Sequence, residues 1–149
     1  MDAGDLNSYV VVSVSAMAIV IGCVLLHYES LSRLTGGLKR IHIRPRPRIL
    51  VMIFSILMIH VVEIWIFGLG YWALTGDPAH GALVASHRVG LLDCVYYSAV
   101  CFTTLGLGDI VPHGAIRILT GPESLAGFVL ITWSASFTFI EMQSFWKRA

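Results

Sequence analysis

The chain has 149 residues, of which 56% are hydrophobic and 13% are charged, and its mean hydropathy is +0.79. A soluble domain carries roughly 25% charged residues, so the composition excludes an ordinary water-soluble globule and indicates a membrane protein. The formal charge of +1 is too balanced for a nucleic-acid binder that works by neutralising phosphates. Three cysteines without CxxC spacing predict neither a disulfide framework nor a zinc site.

Three apolar segments are long enough to cross a membrane, since a spanning helix needs about 20 residues. Residues 9–28 contain no Asp, Glu, Lys or Arg and form the first predicted span. A secretory signal is the weaker interpretation, because no positive region precedes this segment and no small-residue cleavage site follows it. The second span is predicted at residues 49–72, after an Arg-Pro-Arg-Pro-Arg stretch expected to lie outside the helix. The third is predicted at residues 122–146, with Thr120 and Gly121 as its cap and Pro122 in its first turn.

The distribution of basic residues predicts the orientation, because short loops rich in Lys and Arg stay in the cytoplasm. Six of the ten lie in the linker between the first two spans: Arg33, Lys39, Arg40, Arg44, Arg46 and Arg48. We therefore expect a multi-pass protein of the plasma (inner) membrane, with its amino terminus outside and its carboxyl terminus in the cytoplasm. Membrane lipids are expected partners, with anionic headgroups near Arg40, Arg44, Arg46 and Arg48 as a secondary role of that linker.

The loop between the second and third spans contains an apolar run, residues 89–102, that is too short to cross a membrane. Such a run fits a re-entrant half-helix if the non-helical backbone after it is shielded from lipid. We predict this half-helix at residues 91–103 and an extended segment at residues 104–109. The two glycines of that segment, Gly106 and Gly108, allow backbone angles that turn successive carbonyls to one side.

The sequence Thr104-Leu105-Gly106-Leu107-Gly108-Asp109 resembles the potassium-channel signature T-x-G-Y-G-D, and residues 96–104 resemble the pore helix that precedes it in two-pore and bacterial potassium channels. The resemblance implies an all-α integral membrane protein with three transmembrane helices, a re-entrant pore helix and an extended filter, assembled as a homotetramer around one pore. It places potassium ions on the carbonyls of Thr104, Leu105, Gly106 and Leu107, with Gly108 completing the filter and Asp109 at the outer mouth.

Two positions depart from the signature. Leu107 replaces the filter tyrosine, although filters that read GLG or GFG occur in two-pore and inward-rectifier relatives. Val100 occupies the position where some bacterial members carry a glutamate that pairs with the filter aspartate. Asp109 is therefore expected to bind Tyr96 or water.

The chain divides into an amino-terminal part, residues 1–48, and a pore domain, residues 49–149. The predicted function is a passive potassium-selective channel; the alternatives are a weakly selective cation channel and a transporter subunit with a filter-like loop. A transporter usually contains internal repeats, and none is found here. No nucleophile with a base, no paired carboxylates and no cofactor loop indicate an enzyme, and no cofactor is expected beside the permeant potassium ion.

His60 and Glu63 are ionisable residues three apart on one face of the second span. Ionisable groups inside a membrane are costly and usually face protein or water. The pair is compatible with a proton-sensitive gate, a metal pair, or a structural contact that docks the span on the pore helix through Asp93. The structural contact is the favoured interpretation.

Overall fold

The computed structural model describes residues 3–40 and 45–146. Its elements in chain order are α1 (Ala3–Arg40), α2 (Pro45–Leu74), a 3-10 turn (Pro78–His80), β1 (Ala82–Val84), α3 (Leu91–Phe102), β2 (Val111–His113) and α4 (Arg117–Trp146). Among the described residues, α1, α2 and α4 are long and apolar enough to cross a membrane. The prediction of three apolar spanning helices is confirmed, and the short β1–β2 pair is an addition to the all-α expectation.

The helix α2 begins four residues earlier than its predicted span and includes the prolines that the sequence placed outside it. Pro45 and Pro47 lie in its first turn. The first four N–H groups of a helix have no acceptor within the helix, so prolines there remove no hydrogen bond. Of the expected lipid-binding arginines, Arg44 lies outside the described residues, as do the side chains of Arg40 and Arg46.

The helix α4 begins at Arg117, which contradicts the predicted cap at Thr120 and Gly121. Ile116 and Leu119 are fully buried, and their packing fixes the helical turn that precedes Pro122. A proline inside a helix clashes with the Cβ of the preceding residue, and Gly121 has none. Pro122 therefore lies inside α4 at the loss of one backbone hydrogen bond.

A small antiparallel sheet closes the loop region beside the spans. Ala82 pairs with His113 and Val84 with Val111. The backbone N–H of Ile116 donates to the carbonyl of His80 at 2.8 Å, which ties the 3-10 turn to the start of α4. Neither strand was predicted, because three-residue strands have too few positions to show an alternating pattern.

The short helix α3 is held between α2 and α4 at two glycines. A Cβ on Gly68 of α2 would lie 2.7 Å from the Cα of Val95, and one on Gly127 of α4 would lie 2.1 Å from the carbonyl oxygen of Phe102. The Phe102 ring also packs at a tilt against His60, which lies halfway along α2, with ring centroids 5.8 Å apart. The carboxyl end of α3 therefore lies beside the central part of α2 and α4.

We expect Gly127→Ala to destabilise the fold, because the new methyl group meets a backbone oxygen that cannot move without shifting α3. Overpacking of this kind costs about 1–3 kcal/mol and outweighs the gain of up to about 1 kcal/mol in helix propensity. The measurement is the thermal unfolding midpoint in detergent.

Gly22→Ala is the matched control, since Gly22 lies within α1 with nothing within 4 Å of its added Cβ. It should leave the midpoint unchanged or raise it. Equal midpoints for the two variants would show that α3 and α4 are not in close contact.

Candidate functional site

The segment that follows α3 is exposed along its whole length. Residues 103–109 are all solvent-accessible in the single chain, and Leu105 and Leu107 are 64% and 57% exposed. The residues on either side of this segment, Phe102 and Ile110, are buried. The segment is thus anchored at both ends and uncovered between them.

The backbone of this segment alternates in sign. Thr104, Gly106 and Gly108 have φ angles of 59°, 59° and 78°, whereas Leu105 and Leu107 are not in the positive range. Glycine adopts positive φ at little cost, whereas Thr104 is the one non-glycine residue of the described chain with a positive φ. The sequence prediction that the two glycines serve an unusual backbone is consistent with these angles.

Hydrogen bonds orient the first peptide groups of the segment. The N–H of Thr104 donates to the carbonyl of Cys101 at 2.9 Å, and the N–H groups of Leu105 and Gly106 both donate to the carbonyl of Val100 at 2.9 and 3.3 Å. In a trans peptide the C=O points opposite to the N–H. The carbonyls of Thr103, Thr104 and Leu105 therefore point away from the end of α3.

Asp109 ends the exposed segment, and Asp93 lies in the first turn of α3. The hydroxyl of Tyr96 donates to Asp109 at 2.8 Å, one of the two partners that the sequence suggested for this carboxylate. This bond raises the pKa of Tyr96. The backbone N–H of Gly90 at 2.7 Å, and next the ring of His87, lower the pKa of Asp93.

A buried carboxyl group, which the sequence analysis did not single out, links α3 to α2 and α4. Glu123 of α4 is 0% exposed. Its Oε2 accepts from the hydroxyl of Tyr71 on α2 at 2.6 Å, and its Oε1 lies 2.5 Å from the hydroxyl of Ser98 on α3. Ser98 also lies 2.9 Å from the carbonyl of Ile64. The signal that could have identified Glu123 was its charge inside a predicted span.

Counting hydrogens indicates which form of Glu123 fits this network. A serine hydroxyl carries one hydrogen, so Ser98 can donate either to the carbonyl of Ile64 or to Glu123, but not to both. A protonated Glu123 donates to Ser98 and frees the serine hydrogen for Ile64, which satisfies every contact. The neutral form also avoids a buried charge.

His60 and Glu63 are in contact, and a third residue joins them. The Nδ1 atom of His60 lies 2.9 Å from one oxygen of Glu63, and the Nδ1 atom of His27 on α1 lies 2.9 Å from the other. The expected contact of this pair with Asp93 is wrong, because Asp93 binds His87 and Gly90 instead. His27 was not predicted as a partner, because it lies 36 positions away in the sequence.

Comparison with known proteins adds one match. A family model described as an ion channel matches residues 48–144, which include α3, the exposed segment and most of α4. No curated protein matches the chain. No solved structure matches it either.

We expect Glu123→Gln to preserve the fold, because the amide can donate to Ser98 and accept from Tyr71 as the protonated carboxyl does. Glu123→Ala leaves Ser98 with only the carbonyl of Ile64 and Tyr71 with only a 3.3 Å contact to Thr120, and each buried hydrogen bond lost costs about 0.5–1.5 kcal/mol. The measurement is the thermal unfolding midpoint of each variant in detergent. A Gln variant as unstable as the Ala variant would show that the network needs an ionised carboxylate.

Proposed function

Because the chain belongs to the ion channel family whose model matches residues 48–144, we propose that it forms a homotetrameric potassium-selective channel. In this proposal α3 is a re-entrant pore helix and residues 104–108 of four copies form one filter, with Asp109 at its outer mouth. Potassium ions bind the carbonyls of Thr104, Leu105, Gly106 and Leu107. They are the permeant species, and no other cofactor is needed.

The observation that carries the proposal is the backbone of the exposed segment. Its alternating φ angles and its N–H bonds to α3 turn carbonyls away from the helix end. A ring of such carbonyls replaces the hydration shell of a cation. The carboxyl end of α3, which carries the negative end of the helix dipole, lies directly before this segment and favours a cation there.

Exposure of the same segment supports assembly. Non-helical backbone at membrane depth must be buried in protein or line water, because lipid offers it no hydrogen bond. In one chain residues 103–109 are uncovered, and Leu105 and Leu107 expose more than half of their surface. A cavity of about 340 Å³ lies beside the segment, with Thr104, Gly106 and Pro112 in its wall. Neighbouring copies would cover these surfaces, and closed cyclic symmetry would place the carbonyls around one axis.

The proposed orientation in the plasma (inner) membrane follows the basic residues. The linker with six of the ten Lys and Arg residues faces the cytoplasm, and the loop with α3 faces outward. Arg48, at the start of α2, would then lie near anionic lipid headgroups on the cytoplasmic side, together with the arginines that precede it.

A weakly selective cation channel is the second candidate, and Leu107 favours it. A leucine side chain makes no hydrogen bond behind the filter, so the carbonyl ring loses a support that a tyrosine hydroxyl can give. Selectivity depends on how firmly the carbonyl ring holds its geometry and field.

We expect wild-type protein to migrate as a tetramer of the 16.3 kDa chain and Gly106→Ala to lower potassium flux by about tenfold or more. Gly106 has a φ of 59° and open space around it, so the substitution strains the backbone without a clash. Mass measurement in detergent and flux into liposomes test these expectations. The Gly22→Ala variant is the control and should conduct as wild type. A conducting monomer or dimer, or flux unchanged by Gly106→Ala, would contradict the filter assignment.

We expect Leu107→Tyr to increase the preference for potassium over sodium, because its hydroxyl can bond to the aromatic residues of α3. Leu107→Phe is the matched control, since it adds the ring without the hydroxyl. The reversal potential under opposed potassium and sodium gradients measures the effect. A selective wild type with both variants unchanged would show that the side chain only fills space.

A further inference from the structure

Three polar side chains meet between α1 and α2, away from the proposed filter. His27 and Glu63 are fully buried, and the side chain of His60 is 13% exposed. The Trp133 ring lies 5.4 Å from the His27 ring and the Phe102 ring lies 5.8 Å from the His60 ring. The group therefore lies in an apolar, partly aromatic environment where an uncompensated charge is costly.

The three side chains bring their candidate ligand atoms close together. One atom from each of His27, His60 and Glu63 lies within 4.8 Å of the other two. Both Nδ1 atoms are 2.9 Å from a Glu63 oxygen. In a tetrahedral site with metal bonds of about 2.0–2.2 Å the ligand atoms are about 3.3–3.6 Å apart, so a few tenths of an ångström of side-chain movement would open the group to that size.

The group carries a negative charge that a bound cation can offset. With both imidazoles neutral, the two contacts to Glu63 use one ring hydrogen each, and the buried carboxylate keeps its negative charge. If the hydrogen of each ring lies on its Nε2 atom instead, both imidazoles stay neutral, no proton is lost, and a divalent ion could coordinate both Nδ1 atoms and the carboxylate. It would supply the missing positive charge at the point where the three side chains converge.

We propose that His27, His60 and Glu63 bind a zinc-class divalent ion that fastens α1 to the pore-forming part of the chain. Two histidines and one glutamate are a ligand set that zinc uses when a fourth position is left for water. This inference is independent of the proposed conduction and requires only that the three side chains come together in the folded protein.

Two further features fit a metal site. A zinc-bound histidine usually donates its other ring N–H to an oxygen, and the Nε2 atom of His27 lies 3.2 Å from the hydroxyl of Ser134 on α4. An open cavity of about 440 Å³ between α2 and α4 has His60 and Ser134 in its wall. It provides an entry path for the ion and space for a water ligand.

The test uses the purified full chain and zinc alone. We expect one zinc ion per chain by elemental analysis after dialysis. His27→Gln and Glu63→Gln should each weaken zinc binding more than tenfold, and Ser134→Ala should weaken it by about 10–100-fold, as loss of a supporting hydrogen bond does. His113→Gln, a change of an exposed histidine outside the cluster, is the control and should bind zinc as wild type. Absence of zinc binding, or unchanged affinity in His27→Gln, would overturn the proposal.

A second variant tests the proposal even if His27→Gln and Glu63→Gln fail to fold. His27→Cys retains a zinc ligand but changes its chemistry, so cobalt bound to this variant should show a thiolate-to-metal charge-transfer band in the near ultraviolet. Wild-type protein, with Cys23, Cys94 and Cys101 buried, provides the baseline and should show no such band. A folded His27→Cys variant that binds cobalt without this band would show that position 27 is not a ligand, which would also overturn the proposal.

Discussion

The rest of the structure depends on one constraint, that backbone N–H and C=O groups within a membrane need hydrogen-bond partners. The backbone groups of helices α1, α2 and α4 find these partners within their own helix. The segment after α3 cannot, and its first N–H groups instead donate to carbonyls at the end of α3. The carbonyls of Thr103, Thr104 and Leu105 point away from the helix. Water, a cation or neighbouring copies must face them, so the exposed segment and the proposed tetramer follow from the same requirement.

The position of α3 follows from contacts that only small or polar residues can make. Gly68 and Gly127 let the backbones of α2 and α4 approach Val95 and Phe102 more closely than any side chain would allow. Ser98 and Glu123 then fix the register, because a shift of α3 would break their buried hydrogen bond and the bond from Ser98 to the carbonyl of Ile64. Close packing sets how near the helices lie, and the polar network sets where along them α3 stops.

The sequence alone predicted the features that depend on local composition. It did not predict those that depend on contacts between residues far apart in the chain. The length of the apolar runs identified the three spans, and the spacing of its residues identified the Thr-Thr-x-Gly-x-Gly-Asp segment. The start of α2 was misplaced because Pro45 was treated as a helix breaker, and it lies in the first turn instead. The start of α4 was misplaced because Pro122 was assigned to the first turn, whereas it lies inside a helix that begins at Arg117. His27 and Glu123 were missed because their partners lie on other helices. Their polarity inside predicted spans was the available signal.

The two buried carboxyl groups act on different parts of α3. Glu123 holds the middle of the helix through Ser98, whereas Glu63 holds His60, whose ring packs against Phe102 at the carboxyl end. Phe102 in turn touches Gly127 through its carbonyl and lies two residues before Thr104. Phe102 is fully buried, so it packs closely against both His60 and α4. Helix α1, which reaches this point through His27, is by this geometry connected to the segment proposed to conduct ions.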